Sequence, residues 1–214
     1  MEQRTFGTPD ELGLKSISPQ LSYWPASTEP LCADIFVYRG RKGLWLFDVG
    51  YGDKALERVR DLPEPYRVVI SHFHQDHMGN LPQTAWDELY AGQYTLRHTK
   101  EAGQAVTSPM EPEPGVRLFP VPSCHAKGCI GMEIEGTYAL LGDATYCTSR
   151  PPQGRPAYNA TLLLDTIRTL EGLKAPWFLL SHGEPLVRPR EEILGELREI
   201  YRMRTQGEAY IFVE

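Results

Sequence analysis

The segment Tyr66-Arg67-Val68-Val69-Ile70-Ser71 has an apolar centre, Val68-Val69-Ile70, and runs directly into His72-Phe73-His74-Gln75-Asp76-His77. A run of that kind reads as a buried strand. Its continuation cannot be ordinary core, because three imidazoles and a carboxylate in six residues are costly to bury unless each is paired or binds a cation. Imidazole and carboxylate are the ligands that suit zinc and its neighbours, and a hydrolytic site needs several of them with one position left for water. The pattern is too dense for a chance surface patch. Whatever this chain folds into must deliver a strand end to an edge and gather further ligands around it.

The rest of the sequence supplies candidates at similar positions. Ile35 to Tyr38 and Leu44 to Asp48 read as a hairpin across Arg39-Gly40-Arg41-Lys42-Gly43. After Asp48-Val49-Gly50, the stretch Asp53 to Leu62 has helical spacing, with Asp53 as its expected N-cap and Pro63 and Pro65 ending it. Beyond the cluster come a short helix near Gly79 to Trp86, a strand near Leu89-Tyr90 and a Pro-rich loop from Pro109 to Gly115. Val116 to Val121 is a strand. Residues 131–135 and 138–141 form a hairpin joined at Gly136-Thr137, ending in Gly142-Asp143. Asn159 to Leu173 is an amphipathic helix with Leu162, Leu163, Thr166, Ile167 and Leu170 on one side. Trp177 to Leu180 is a strand ending in Ser181-His182-Gly183, and a last helix from Pro189 to Gln206 buries Ile193, Leu197, Ile200 and Tyr201. Strands in pairs followed by helices, twice over, suggest stacked sheets covered by helices. Asp48, His72, Asp143 and His182 all fall at predicted strand ends, where loops on a rigid scaffold carry chemistry.

At 214 residues and 41% hydrophobic, the chain fits one domain, residues 1–214. The formal charge of −6, with basic residues scattered, gives no attraction to phosphate backbones, so nucleic acid is not an expected partner. The start, Met1 to Phe6, lacks the basic and apolar segments of a secretory signal, and no apolar stretch is long enough to span a bilayer. A cytoplasmic protein without a membrane partner, acting on a small molecule, is the expectation; oligomeric state is left open. Cys32, Cys124, Cys129 and Cys147 are expected as thiols, since Cys124 and Cys129 lack knuckle spacing.

Taken in order, Asp48-x-Gly50, the His-x-His-x-Asp-His cluster, the lone His125, Gly142-Asp143 and Ser181-His182-Gly183 resemble the metallo-β-lactamase superfamily, from about Ile35 to Glu184. That resemblance implies an α/β fold, a four-layer αβ/βα sandwich with its site at one edge. It also implies two divalent metal ions, zinc first, with iron or manganese as alternatives. His72, His74 and His125 would bind the first metal, Asp76, His77 and His182 the second, and Asp143 would bridge them. Asp48 would act behind the ligands. His98 has no role in this scheme and reads as solvent-facing or structural.

The implied activity is hydrolysis of an ester, lactone or thioester-type bond by a hydroxide held between the metals, with Asp76 orienting it and taking its proton. Tyr146, three residues past Asp143, resembles a tyrosine that lactone-hydrolysing members place over the substrate carbonyl. Two roles are open: donating to a developing oxyanion, or packing against the core or the Pro151-Pro152 loop. Lys127, Arg150 or Arg155 could meet an acidic substrate group, although surface charge is the simpler reading. Against glyoxalase-II-like thioesterases, the loop Pro122-Ser123-Cys124-His125-Ala126-Lys127 departs from their Pro-Gly-His, and little chain follows His182. True β-lactamases are secreted, and the tRNA-processing branch carries long arms and a basic surface. The alternative class is an iron-dependent oxidoreductase on the same ligand frame, like a persulfide dioxygenase; flavodiiron proteins usually put Glu where His74 stands.

Overall fold

Pairing of an apolar hairpin with parallel strands organises the first half of the molecule. The computed structural model describes residues 12–63, 66–150 and 152–213. The reading of Met1 to Phe6, and Pro65 and Pro151, lie outside the described residues. By its contacts the chain divides into two compact units, one ending at Ala105 and the other beginning at Val106.

In the first unit seven strands form one sheet, in the spatial order Lys15–Ser16, Leu21–Trp24, Ile35–Gly40, Gly43–Phe47, Tyr66–Ile70, Glu88–Ala91 and Gln104–Ala105. The expected hairpin is present: Ile35–Gly40 pairs antiparallel with Gly43–Phe47 and closes at Gly40 and Gly43. From Gly43–Phe47 onward, neighbours run parallel. Parallel pairs need crossovers, and helix Asp53–Arg60 supplies the first by burying Ala55, Leu56 and Val59. Its N-cap is Gly52 rather than Asp53, which sits in the first turn, where a carboxylate favours the helix dipole. The strand core (Ile35, Val37, Leu46, Val68, Ile70) is buried with Trp24 and Leu62. Each such side chain contributes roughly 1.5–3 kcal/mol on burial.

Elements here differ from expectation: strands Lys15–Ser16, Leu21–Trp24 and Gln104–Ala105 were not foreseen. The helix placed near residues 79–86 begins earlier, as Gln75–Met78 inside the histidine cluster, followed by a 3-10 turn at Leu81–Gln83. Helix Gln93–Thr99 was not expected at all; its buried residues are Thr95 and Thr99, which give no apolar periodicity to read.

In the second unit the order is Met110–Glu113, Val116–Val121, Cys129–Ile134, Tyr138–Gly142, Trp177–Leu180 and Val187–Pro189. Four antiparallel strands are followed by a parallel pair, Tyr138–Gly142 with Trp177–Leu180. Helix Ala160–Glu171 makes the crossover, capped by the Asn159 side chain, which accepts from Thr161 N and Leu162 N. The hairpin turn centres on Glu135 and Gly136, both at positive φ, one residue earlier than expected. Thr137 N donates to Ile134 O across it. Leu162, expected on the buried side of its helix, is 38% exposed. Helix Arg190–Arg202 buries Ile193, Leu194 and Leu197, while Ile200 and Tyr201 are only half-buried. A ribbon of Ala157–Asn159 with Tyr210–Phe212 was not foreseen. Among the described residues, no helix is long and apolar enough to cross a membrane.

Gly50 has φ +65, and a Cβ there would stand 2.6 Å from Cys32 Sγ and 2.9 Å from Ile35 Cδ1. Both the backbone conformation and the space demand glycine. Gly50→Ala is expected to destabilise the protein by roughly 2–4 kcal/mol, the sum of left-handed strain and overpacking. A urea melt within experimental error of the parent would contradict this.

Candidate functional site

Each unit gathers its candidate donors by the same device, a pair of adjacent parallel strands that end at one edge. In the first unit Phe47 is in register with Val69, and Asp48 N donates to Val69 O at 2.8 Å. Asp48 and the chain from Ser71 therefore leave the sheet side by side. Asp48 is wholly buried and left-handed, with φ 62. Its Oδ1 accepts from Ser71 N at 2.7 Å, and its Oδ2 from the Ser71 hydroxyl at 2.8 Å and from His77 Nδ1 at 2.7 Å. Burial pushes the Asp48 carboxyl above the usual carboxylate range, and the His77 and Ser71 contacts pull it back.

This arrangement dictates where protons sit. Ser71 gives its only hydroxyl proton to Asp48, so its oxygen accepts from His72 Nδ1, 3.0 Å away. That leaves the lone pair of His72 on Nε2. His77 gives its Nδ1 proton to Asp48, and its lone pair is likewise on Nε2. His72 Nε2 lies 2.9 Å from His74 Nδ1, and His77 Nε2 lies 3.4 Å from Asp76 Oδ2. Helix Gln75–Met78, which carries Asp76 and His77, is tied down through its backbone: Val49 N and Gly50 N donate to His77 O, and Ala33 N donates to Asp76 O. The Asp48-Val49-Gly50 loop thus holds both the ring and the main chain of His77.

In the second unit Gly142 is in register with Leu180, and Ser181 N donates to Gly142 O at 3.1 Å. Asp143 and His182 accordingly emerge together, with donor atoms within 4.8 Å of each other. Asp143 is buried, and His182 is half-buried at φ 60. His125 reaches the same edge on the loop after Val116–Val121, where its N–H donates to Ser123 Oγ at 3.0 Å and Ser123 Oγ donates to Ala144 O at 2.8 Å. Its Nδ1 donates to the Cys147 carbonyl at 3.1 Å, which assigns the lone pair to Nε2, 3.4 Å from Asp143 Oδ2. Tyr146 lies beside them. Its hydroxyl donates to the Ser181 carbonyl at 2.6 Å.

A metal can be tested against these distances. Two ligands at 2.0–2.1 Å on a tetrahedral ion are about 3.3 Å apart. The pairs His77–Asp76 and His125–Asp143, both at 3.4 Å, have that spacing, and His72–His74 at 2.9 Å is slightly tighter. His77 and His125 also show the carboxylate or carbonyl partner that metal-binding imidazoles characteristically carry. The donor set of each unit fits divalent cations.

Other expected residues fall elsewhere. His98 is exposed and stacks on Phe73, ring centroids 4.5 Å apart, with Tyr94 against both; the structural reading holds. The Arg155 guanidinium lies over the Phe212 ring, while Lys127 and Arg150 are exposed. Cys129 is buried, its thiol donating to Ala126 O, and burial pushes the Cys124 thiol up to about 11. All four cysteines are thiols. Sequence reasoning missed Ser71 and Ser123. Each hydroxyl directly joins two site segments, but a lone serine at a strand end carries no pattern to announce this.

No protein-family profile and no curated protein matches the sequence. Solved structures do match in fold. A metallo-β-lactamase from Erythrobacter litoralis superposes with a TM-score of 0.63 at 15% identity, covering 87% of this chain and 96% of its own. An archaeal metallo-β-lactamase superfamily protein from Sulfolobus tokodaii gives 0.58 at 16% identity, covering 86% of each. A mutant flavo di-iron protein from Thermotoga maritima gives 0.65 at 14%, with 91% of this chain on 63% of that one. At these identities the likeness is one of fold.

Asp48→Ala removes the acceptor that orients His77. It is expected to weaken metal binding by about 10- to 100-fold, measured by competition with a chromophoric chelator. Unchanged affinity would mean that His77 is oriented without it.

Proposed function

From the metallo-β-lactamase fold that this chain carries, we propose that it is a metal-dependent hydrolase of small molecules, cleaving an ester, lactone or thioester-type bond. The observation that carries this reading is the matched orientation of His77 and His125. Each is fixed at Nδ1 by an acceptor behind it and turns a lone-pair nitrogen to a carboxylate at 3.4 Å. Imidazoles anchored in this way, His77 buried and His125 half-buried, are arranged to accept a cation rather than to fill a core.

In this reading His72, His74 and His125 would hold one metal and Asp76, His77 and His182 a second, with Asp143 a ligand to both. Two divalent cations supply an activated water and a Lewis acid for the electrophilic oxygen. Asp76 takes the proton of the attacking water on its carboxylate and returns it to the departing oxygen or sulfur. Asp48 keeps the His77 Nδ1 proton in place, so that Nε2 is never the protonated nitrogen, and Ser71 does the same for His72. Zinc is the metal proposed, because imidazole and carboxylate without thiolate suit it and the reaction needs no redox change.

The likeness to a flavo di-iron protein supports a second reading, an iron-dependent oxidoreductase on the same frame. Metal analysis of protein purified without added metal separates the two. Zinc with hydrolysis is expected, whereas iron with oxygen uptake on thiol substrates would establish the oxidoreductase.

Asp143→Ala is expected to leave fewer than one metal per chain by plasma mass spectrometry. It should also lower kcat/KM by more than about 10³-fold on a panel of lactones, thioesters and aryl esters, a loss of the size that removing catalytic groups produces. Wild-type metal content in that variant would refute the shared ligand. Chelation of the parent should abolish turnover, with recovery on adding zinc.

A further inference from the structure

We propose that Tyr146 is a positioning residue for His182 and not an oxyanion donor. The inference rests on the metal-dependent reading above and concerns how one of its ligands is held.

Ser181 is fully buried at the end of strand Trp177–Leu180, and His182 follows it at φ 60, a conformation that a non-glycine residue keeps only when its surroundings enforce it. Two hydrogen bonds supply that enforcement. On one side Ser181 N donates to Gly142 O at 3.1 Å, which continues the parallel register with strand Tyr138–Gly142. On the other, the Tyr146 hydroxyl donates to Ser181 O at 2.6 Å. The Ser181 carbonyl lies in the same rigid peptide plane as the His182 nitrogen. Holding its oxygen therefore fixes the plane from which the His182 side chain departs. Gly183 N, bonded to Leu180 O at 3.3 Å, closes the turn beyond it.

Tyr146 is itself well placed to act as the fixed end. Its N–H donates to Asp143 O at 3.0 Å, so the phenol swings from a turn that starts at the candidate shared ligand. Its ring meets the His125 ring edge-on at a centroid distance of 6.3 Å. A phenol has one proton, and here that proton lies on the Ser181 carbonyl. Donation to a developing oxyanion would require Tyr146 to release the peptide that orients His182. The lone pairs left on the hydroxyl can only accept. One side chain thus sets the spacing between the loop of Asp143 and the turn of His182.

The experiment is metal titration of Tyr146→Phe, which removes one oxygen and keeps the ring. The expected result is two metals per chain in the wild type, with the weaker site of the variant at least tenfold weaker in chelator competition. The visible spectrum of the cobalt-substituted variant should also change, and kcat should recover to within threefold at excess zinc. Metal affinity within twofold of wild type, with kcat down a hundredfold at saturating zinc, would overturn the proposal and establish the oxyanion role. No change in either quantity would also overturn it. Wild-type protein that binds no divalent metal would defeat the underlying reading instead. Should Tyr146→Phe fail to fold, Tyr146→His gives the second measurement: metal affinity that does not follow whether the Ser181 carbonyl keeps a donor, as seen in its crystal structure, overturns the inference equally.

Discussion

A single buried carboxylate, that of Asp48, organises the candidate site of the first unit. It has no exposure to water, so it is tolerable only because its oxygens accept from Ser71 N, the Ser71 hydroxyl and His77 Nδ1. Each of those bonds fixes a proton, and each fixed proton decides which nitrogen of a neighbouring ring is an acceptor. The orientation of His72 and His77 is thus a consequence of solvating a charge with protein groups. The same loop uses its next two N–H groups to hold the His77 carbonyl, so ring and backbone are set by adjacent residues.

Parallel strand pairing converts this local chemistry into a site. Two parallel neighbours end at the same edge, and residues just beyond their C-terminal ends are juxtaposed whatever their separation in sequence. Asp48 and His72 are 24 positions apart, and Asp143 and His182 are 39 apart, yet each couple leaves its sheet from registered residues, Phe47 with Val69 and Gly142 with Leu180. The second unit reaches the outcome with different supports. A backbone carbonyl, that of Cys147, takes the role for His125 that the Asp48 carboxylate takes for His77.

Much of this was legible in the sequence, because Leu44 to Phe47 and Trp177 to Leu180 are uninterrupted apolar runs and the candidate donors are rare residue types placed just after such strands. The mixed α/β character follows from the same runs, while the likeness to the metallo-β-lactamase superfamily is a resemblance of ordered motifs, from Asp48-x-Gly50 to Ser181-His182-Gly183. What the sequence hid has identifiable causes. Helix Gln93–Thr99 buries threonines, so no apolar stripe marks it. Helix Gln75–Met78 is a single turn within the ligand cluster, too short for any period to show. The N-cap at Gly52 depends on a backbone angle, and the Glu135-Gly136 turn on two of them. Tyr146 stands where an oxyanion donor is expected, but the partner that occupies its hydroxyl is a main-chain oxygen, and main-chain atoms have no signature in a sequence.

His182 shares with Asp48 a left-handed backbone at a position that is not glycine. Such a conformation costs a non-glycine residue on the order of 1–3 kcal/mol, so at residue 182 a chain optimised for folding alone would carry glycine. The imidazole is therefore a standing debit against stability, held in place by the two hydrogen bonds on the backbone N–H and carbonyl of Ser181. Drift released from any demand for the site would run downhill at residue 182, toward a sturdier protein with one ligand fewer.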